Sequence, residues 1–135
     1  MKSQIFINLP VKDLPKAMDF YTKIGFKNNP QFTDETAACM VVSDEIFVML
    51  LTYPKFKEFI QKEIPDATKT TEVINSLSVE SVAKVNEIAD IALNAGGLEP
   101  SEPKDYGFMQ QRSFSDLDGH HWEIFFMDMS KFPQQ

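Results

Sequence analysis

Two residues near the C-terminal end of the chain have the clearest potential for chemistry. His121 and Glu123 are separated by one residue within His120–Met127, whose β-rich composition predicts a strand. Side chains two residues apart on a strand share a face, so the imidazole and the carboxylate are expected side by side. Because histidine transfers protons near neutral pH, the pair predicts a catalytic or ligand-orienting role. The alternative is a histidine bonded to a neighbouring carboxylate without chemistry.

Two further side chains could contribute to a site, and a third is predicted not to. Arg112 enters the same predicted hairpin, and its guanidinium is predicted either to bind an anionic ligand group or to pair with a surface carboxylate. Asn8 is predicted either to face a ligand or to hydrogen-bond the backbone. Cys39 is the single cysteine and has no basic neighbour in sequence, which predicts a small buried apolar residue and not a reactive thiol.

An internal repeat predicts the elements that position these residues. The segment Ile5–Lys16, IFINLPVKDLPK, matches Val73–Lys84, VINSLSVESVAK, at an offset of 68 residues. Each copy has an alternating apolar stretch, then an acidic or hydroxyl residue, then an amphipathic helix pattern. Such repetition predicts two copies of one supersecondary unit, and paired units usually bind ligands between them.

The first unit, residues 4–53, has the pattern of a βαβββ unit. Asp13 is predicted to cap the helix and Gly25 to end it. The predicted strands are Ile5–Val11, Phe26–Phe32, Ala37–Ser43 and Ile46–Thr52, of which the second lies towards an edge because Pro30 interrupts it. A short helix is predicted over Pro54–Ile64, followed by a linker over Pro65–Thr71.

The second unit, residues 72–128, repeats this order. Val73–Val79 predicts a strand, Ser81 a helix cap, and Gly96-Gly97 the end of that helix. An irregular strand or a mobile loop is predicted over Leu98–Gly107, followed by strands over Met109–Ser115 and His120–Met127. The intervening segment Asp116–Gly119 has the composition of a calcium loop but not its spacing, so Asp118-Gly119 predicts a tight hairpin turn.

Composition restricts the class of protein and its partners. A chain of 135 residues predicts one domain, residues 1–135, built from both units. The net charge of −7 repels phosphate backbones, so no nucleic acid partner is expected. The longest apolar run, Ile46–Leu51, is too short to cross a membrane, and no membrane partner is expected. The N-terminus has no apolar signal region, and together with the single cysteine this predicts a cytoplasmic protein.

Four motifs in order give the chain a recognisable pattern. They are NLPVKDL at 8–14, FYTKIGF at 20–26, the second strand-plus-helix copy, and DLDGHHWEI at 116–124. In this respect the chain resembles the vicinal oxygen chelate superfamily, also called the glyoxalase/bleomycin resistance/dioxygenase family. The resemblance covers about residues 4–128. It implies an α+β fold in which the mixed sheets of two tandem βαβββ units curl round a central cleft.

The resemblance also implies where a metal would be bound. By position, the four metal ligands of the family fall at or near Phe6, Leu50, Ile74 and Glu123. Only Glu123 can bind a cation, which needs several N or O donors. A register shift of two residues would present Asn8 in the first strand, and Glu72 or Ser76 in the third. We therefore expect no cofactor, with a divalent metal bound partly by Glu123 as the alternative.

Apolar side chains at these positions favour burial of a ligand over coordination of a metal. Because side chains alternate between the two faces of a strand, five apolar residues are predicted to line the cleft together: Phe6, Val48, Leu50, Ile74 and Phe125. Asn8, Ser76 and Arg112 are predicted as further ligand-binding residues. The alternative is that these residues fill the cleft as core.

Two classes of function follow from the resemblance. The first is a non-catalytic or weakly catalytic binder of an apolar or cationic small molecule, similar to the antibiotic-sequestering members. The second is a metal-dependent lyase or isomerase, similar to lactoylglutathione lyase, or a dioxygenase. A pure interaction domain is a third possibility if the cleft is filled. The resemblance also implies a homodimer.

Overall fold

The computed structural model describes residues 1–133 and divides into two compact units at Thr70 and Thr71. Each unit is α+β and has the order βαβββ. The first contains β1 (Ile5–Val11), α1 (Leu14–Lys23), β2 (Lys27–Asn29), β3 (Ala37–Val41), β4 (Ile46–Thr52) and the short helix α2 (Tyr53–Lys57). The second contains β5 (Ile74–Ser78), α3 (Val82–Asn94), β6 (Lys104–Asp105), β7 (Met109–Ser115) and β8 (His121–Met127).

The two sheets have the same topology. The strand order is β1-β4-β3-β2 in the first and β5-β8-β7-β6 in the second. In each, the first strand pairs in parallel with the last, and the remaining pairs are antiparallel. The two tandem βαβββ units predicted from the repeat are therefore confirmed.

The helix ends show why the two copies fold alike. The side chain of Asp13 accepts a hydrogen bond of 3.1 Å from the amide of Lys16, and Ser81 accepts one of 3.0 Å from Lys84. These N-caps satisfy amides that the helix leaves without partners. At the other ends, Gly25 and Gly96 have φ of +112° and +107°, a region that favours glycine. The predicted caps and helix ends are thus confirmed.

Each helix packs on one face of its own sheet. In the first unit α1 buries Phe20 and Tyr21 on the face that carries the fully buried Val48 and Leu50. In the second unit α3 lies over β7 and β8. The buried residues there include Val85, Ala89, Phe114, Trp122 and Ile124.

Five predicted elements were too long. The strand β3 ends at Val41 where Ser43 was predicted, and β5 spans Ile74–Ser78 where Val73–Val79 was predicted. The strand β2 has only three residues before a 3-10 turn at Pro30–Phe32, because proline offers no amide to a strand ladder. Its predicted position at an edge is confirmed. The helix α2 has five residues where Pro54–Ile64 was predicted, and Phe59 beyond it is 69% exposed. A short helix is stabilised mainly by the packing of its apolar side chains, so the helix does not extend to the exposed Phe59. The strand β8 begins at His121 because His120 belongs to the turn.

The hairpin between β7 and β8 forms as predicted. Gly119 has φ of +92°, and its amide donates to the carbonyl of Asp116 over 3.1 Å. Oδ1 of Asp116 accepts from the amides of Asp118 and His120 over 2.9 and 2.8 Å. The carboxylate of Asp116 thus closes the turn. None of the helices in residues 1–133 is long and apolar enough to cross a membrane.

Candidate functional site

The second sheet has one face that points away from α3, and we call it the β5–β8 face. It carries Ile74 and Ser76 of β5 beside His121 and Glu123 of β8, followed by Phe125. The register places Ile74 opposite His121 and Ser76 opposite Glu123. Paired residues on neighbouring strands share a face. Five of the residues predicted as site residues are therefore brought together here.

Glu123 is anchored on this face by one oxygen. The hydroxyl of Ser76 donates a hydrogen bond of 3.1 Å to its Oε1. Glu123 itself is only half-buried, so its side chain is partly accessible from solvent. A hydrogen bond to a carboxylate is about twice as strong as one between neutral groups. The bond thus orients the carboxylate and leaves part of its accepting capacity unused.

His121 lies one step along the same face. Its Nε2 is buried and has no hydrogen-bond partner within residues 1–133. A buried polar atom without a partner destabilises a fold by about 1–3 kcal/mol, so nearly all such atoms are paired in native proteins. The unpartnered nitrogen therefore marks a place where a ligand or a water molecule would gain a hydrogen bond.

The remainder of the β5–β8 face is mostly apolar or uncharged. Ile74 is 50% exposed, and Phe125 is half-buried opposite Ser78. The strand β7 adds Met109 and Gln111, opposite Met127 and Phe125. The face therefore combines apolar surface with one carboxylate and one imidazole.

The first sheet has a corresponding face, which we call the β1–β4 face. Phe6 is 49% exposed and stacks on Phe47, with ring centroids 4.6 Å apart and an interplanar angle of 10°. Asn8 lies opposite Met49 on this face. Its Nδ2 donates to the carbonyl of Phe6 over 3.0 Å, so the predicted alternative of a backbone bond is the one observed. This face offers aromatic and thioether surface.

The predicted common lining was wrong for Val48 and Leu50. Both are fully buried and lie opposite Ile7 and Leu9, on the face that packs against α1 and not on that of Phe6. The residues beside Phe6 and Asn8 are Phe47 and Met49, which strand parity misplaced. Every residue from Ile46 to Leu51 is apolar, so the sequence has no alternation from which to assign the faces.

Arg112 also lies away from the β5–β8 face. It pairs with Ile124 in the register and is on the side of the sheet covered by α3. Its Nη1 donates to Asp90 over 2.7 Å, while Nε and Nη2 each donate to Glu99 over 3.1 Å. Burial alone would lower the pKa of Arg112, but these carboxylates raise it above its usual value. The predicted alternative, pairing with carboxylates, is thus the arrangement observed.

Cys39 is a buried free thiol, as predicted. Burial raises its pKa above the usual value, because the anionic thiolate is poorly solvated there. The thiol therefore lacks the environment of a reactive cysteine.

The residues present do not fit the metal centre that the resemblance implies. The four positions hold Phe6, Leu50, Ile74 and Glu123, and only the last offers a donor atom. Within residues 1–133, no three His, Cys, Asp or Glu side chains are grouped so that they could hold a metal ion. His121 and Glu123 supply at most two donors, fewer than a stable site needs.

Comparison with known proteins supports the fold and the family. A family model for the bleomycin resistance protein-like N-terminal region matches residues 4–43. The structure of hypothetical protein SA1046 from S. aureus is similar, with 30% identity, a TM-score of 0.77, and coverage of 93% of this chain and 95% of that one. Comparison with proteins of curated function finds no match.

Two further structures share the fold at lower identity. One is a glyoxalase/bleomycin resistance protein/dioxygenase family enzyme from Burkholderia phytofirmans PsJN, with 12% identity, a TM-score of 0.76, and coverage of 93% and 99%. Another is a glyoxalase-related enzyme from Fulvimarina pelagi, with 17% identity, a TM-score of 0.77, and coverage of 93% and 88%. On its duplicated βαβββ modules, the family-model match and these neighbours, the chain belongs to the glyoxalase/bleomycin resistance/dioxygenase superfamily.

Proposed function

We propose that this protein binds an apolar or cationic small molecule on the β5–β8 face, without the usual metal centre of its superfamily. The observation that carries the proposal is the half-anchored carboxylate of Glu123. One of its oxygens accepts a hydrogen bond from Ser76, and the side chain as a whole is only half-buried. An ammonium or other N–H group of a ligand would complete its hydrogen bonding.

The charge of this face favours a cationic ligand over an anionic one. The residues that β5 and β8 contribute to it are Ile74, Ser76, Ser78, His121, Glu123, Phe125 and Met127. Glu123 is the one acidic side chain in this set, and the set contains no lysine or arginine. A carboxylate without a nearby cation attracts positive charge, most strongly where the surroundings are apolar.

The neighbouring groups suit an aromatic or aliphatic ligand body. Phe125 and the exposed Ile74 flank the polar pair, so a ligand could bury apolar surface while its polar group meets Glu123 and His121. Small-molecule sites usually combine an apolar lining with a few placed polar groups in this way.

Isothermal titration calorimetry in excess EDTA tests the proposal. The probes are a panel of small molecules that includes tryptamine and its uncharged analogue tryptophol. We expect tryptamine to bind, and Glu123→Gln to weaken it about tenfold, because an uncompensated charge-assisted bond contributes about 1.5 kcal/mol. Tryptophol should be almost unaffected by the same substitution.

Two matched variants control for indirect effects. Ser76→Ala removes the anchoring hydroxyl but keeps the carboxylate, so its effect should be smaller than that of Glu123→Gln. Glu87→Gln removes a carboxylate from the exposed surface of α3 and should leave binding unchanged. Equal tryptamine affinities for Glu123→Gln and the wild type would contradict the proposal, as would binding that appears only with a divalent metal.

We also propose that the protein forms a homodimer, as the resemblance implies. The strand β1 is at a sheet edge and exposes Ile5 and Phe6, surface that a second copy could cover. Light scattering at micromolar concentration should give twice the mass of one chain. The mass of a single chain would contradict this proposal without affecting that for ligand binding.

A further inference from the structure

Two methionine side chains face each other at the open end of the hairpin formed by β7 and β8. Met109 is directly opposite Met127 in the antiparallel register. Hydrogen-bonded and non-hydrogen-bonded pairs alternate along such a ladder. The amide of Asp128 donates to the carbonyl of Phe108 over 2.7 Å, so the neighbouring methionines form a non-hydrogen-bonded pair. The Cα atoms of such a pair are only about 4.5 Å apart, which brings the two thioethers side by side.

A third methionine follows two residues later. The backbone of Asp128 is extended, with φ of −104° and ψ of 98°, and the 3-10 turn at Met129–Lys131 comes directly after it. The side chains before and after an extended residue point to the same side, so Met129 projects to the side that carries Met127. Their Cα atoms are at most about 7 Å apart, because an extended chain spans at most about 3.6 Å per residue.

These three methionines are accessible from solvent. Met127 is 39% exposed and Met129 is 61% exposed, while Met109 is half-buried. Methionine is among the residue types most often fully buried, so a group of exposed thioethers at one end of a sheet is informative. The side chain of methionine has three rotatable bonds, which allow the three sulfur atoms to turn towards one point.

A thioether sulfur is a soft and uncharged donor. Soft sulfur ligands select Cu(I), whereas Mg²⁺, Ca²⁺ and Mn²⁺ prefer oxygen ligands. The nearest charged residues in sequence, Asp128 and Lys131, have opposite signs, so the softness of sulfur and not charge would select the ion. We propose that Met109, Met127 and Met129 form a binding site for a soft monovalent cation of the Cu(I) class.

This methionine site differs from the proposed ligand site in place and in chemistry. Met127 lies four residues beyond Glu123 on β8, which is about 13 Å at the rise of about 3.3 Å per residue in a strand. Thiol, imidazole and carboxyl groups must lose a proton to bind a metal, which makes their affinity depend on pH. A thioether has no such proton, so the affinity of the methionine site should not change between mildly acidic and neutral pH.

Titration with Ag⁺ tests the site, because Ag⁺ is a soft monovalent ion that is stable in air. The readout is the NMR spectrum of protein labelled with [methyl-¹³C]methionine, in which each of the seven methionines contributes one methyl signal. We expect saturable shifts of the methyl signals of Met109, Met127 and Met129, complete at one ion per chain. Mg²⁺ and Ca²⁺ should leave these signals in place.

Leucine variants remove the sulfur and nearly keep the volume of the side chain. Met127→Leu and Met129→Leu should each weaken Ag⁺ binding at least about tenfold, because the loss of even an outer-shell partner of a metal typically costs about 10–100-fold. Met18→Leu removes a half-buried methionine of α1 and is the matched control, which should have no effect. Because thiols also bind soft cations, the titration is repeated in Cys39→Ala, where the same shifts are expected.

Four results would overturn the inference. They are the absence of saturable shifts at the three methionines, equal shifts at Met18, unchanged affinity in both leucine variants, and a loss of affinity of more than about twofold between about pH 7.5 and about pH 5.5. The first would leave these methionines as apolar surface of the β5–β8 face. The last would mean that a group that binds protons coordinates the ion.

Discussion

The hydroxyl of Ser76 donates a hydrogen bond of 3.1 Å to Oε1 of Glu123, although the two residues are 47 positions apart in the chain. The parallel pairing of β5 with β8 places them directly opposite each other. The resemblance to the superfamily predicted Glu123 at the position of a metal ligand. Here its carboxylate is oriented by a neutral hydroxyl, an arrangement suited to accepting a hydrogen bond from a ligand.

The two faces of β4 should respond differently to truncation. Leu50→Ala removes a fully buried side chain and should lower the free energy of unfolding by about 2–5 kcal/mol. Met49→Ala alters the β1–β4 face, where the side chain is half-buried, and should cost about 1 kcal/mol or less. Urea denaturation measures both. Equal losses would contradict the assignment of Leu50 to the core and Met49 to the open face.

The ion-pair cluster of Arg112 should stabilise the second unit. Arg112→Met leaves Asp90 and Glu99 without their partner, and the arginine side chain is only 13% exposed. We expect a loss of about 1–3 kcal/mol in unfolding free energy by urea denaturation. Lys84→Met breaks the exposed pair with Glu87 and should cost less than about 0.5 kcal/mol. A loss for Arg112→Met as small as that for Lys84→Met would show that the cluster does not stabilise the fold.

Substitution by alanine should destabilise the protein to different extents at the two glycines that end the main helices. Gly25→Ala and Gly96→Ala both introduce a side chain at positive φ, which costs about 1–2 kcal/mol. At Gly96 the new Cβ would also lie 3.0 Å from Cδ2 of Leu117, whereas at Gly25 it meets no atom of residues 1–133 within 4 Å. Thermal unfolding should therefore show the larger loss for Gly96→Ala. In a Leu117→Ala background the difference should shrink, and an unchanged difference would contradict this explanation.

The turn at Asp34 should titrate at unusually low pH. The hydroxyl and amide of Thr36 donate to its Oδ1 over 2.7 and 2.8 Å, and they hold the pKa of Asp34 below the ordinary 3.8. These bonds favour the carboxylate in the folded state. Their contribution to the free energy of unfolding is therefore fully present above the pKa that Asp34 has in the unfolded chain. It is lost as pH falls through the lower pKa of Asp34 in the folded state.

The variant Thr36→Val tests this cause. We expect the pKa of Asp34 to rise towards its ordinary value in a ¹³C-detected carboxyl titration by NMR. Asp128 accepts from Ser130 in a similar turn and serves as an internal control whose pKa should not move. A constant pKa for Asp34 in the variant would show that the hydroxyl of Thr36 is not responsible.

Local signals in the sequence were sufficient to predict most of the fold. Asp13 and Ser81 are short polar residues directly before amphipathic segments, and both cap helices as expected. Their spacing of 68 residues matches the repeat. The helix α3 has 13 residues and α1 has 10, so the glycine that ends each helix recurs after 71 residues. The repeat thus tolerates three additional helical residues, slightly less than one turn.

The candidate site was only partly predictable. Side chains alternate between the two faces of a strand, so the shared face of His121 and Glu123, and that of Ile74 and Ser76, follows from their spacing. In β4 both faces are apolar, so Phe47 and Met49 could not be distinguished from Val48 and Leu50. Nε2 of His121 has no hydrogen-bond partner in the described part of the chain, and this depends on tertiary packing, for which no local sequence signal exists.

The central claim is that ligand binding uses Glu123 without a metal, and one comparison tests it most directly. The affinity of tryptamine is measured by calorimetry first in excess EDTA and then with added Mn²⁺, Ni²⁺ or Zn²⁺. We predict the same affinity within about twofold under all these conditions, together with about tenfold weaker binding by Glu123→Gln in EDTA. Binding that is absent in EDTA and restored by one of these ions would contradict the account.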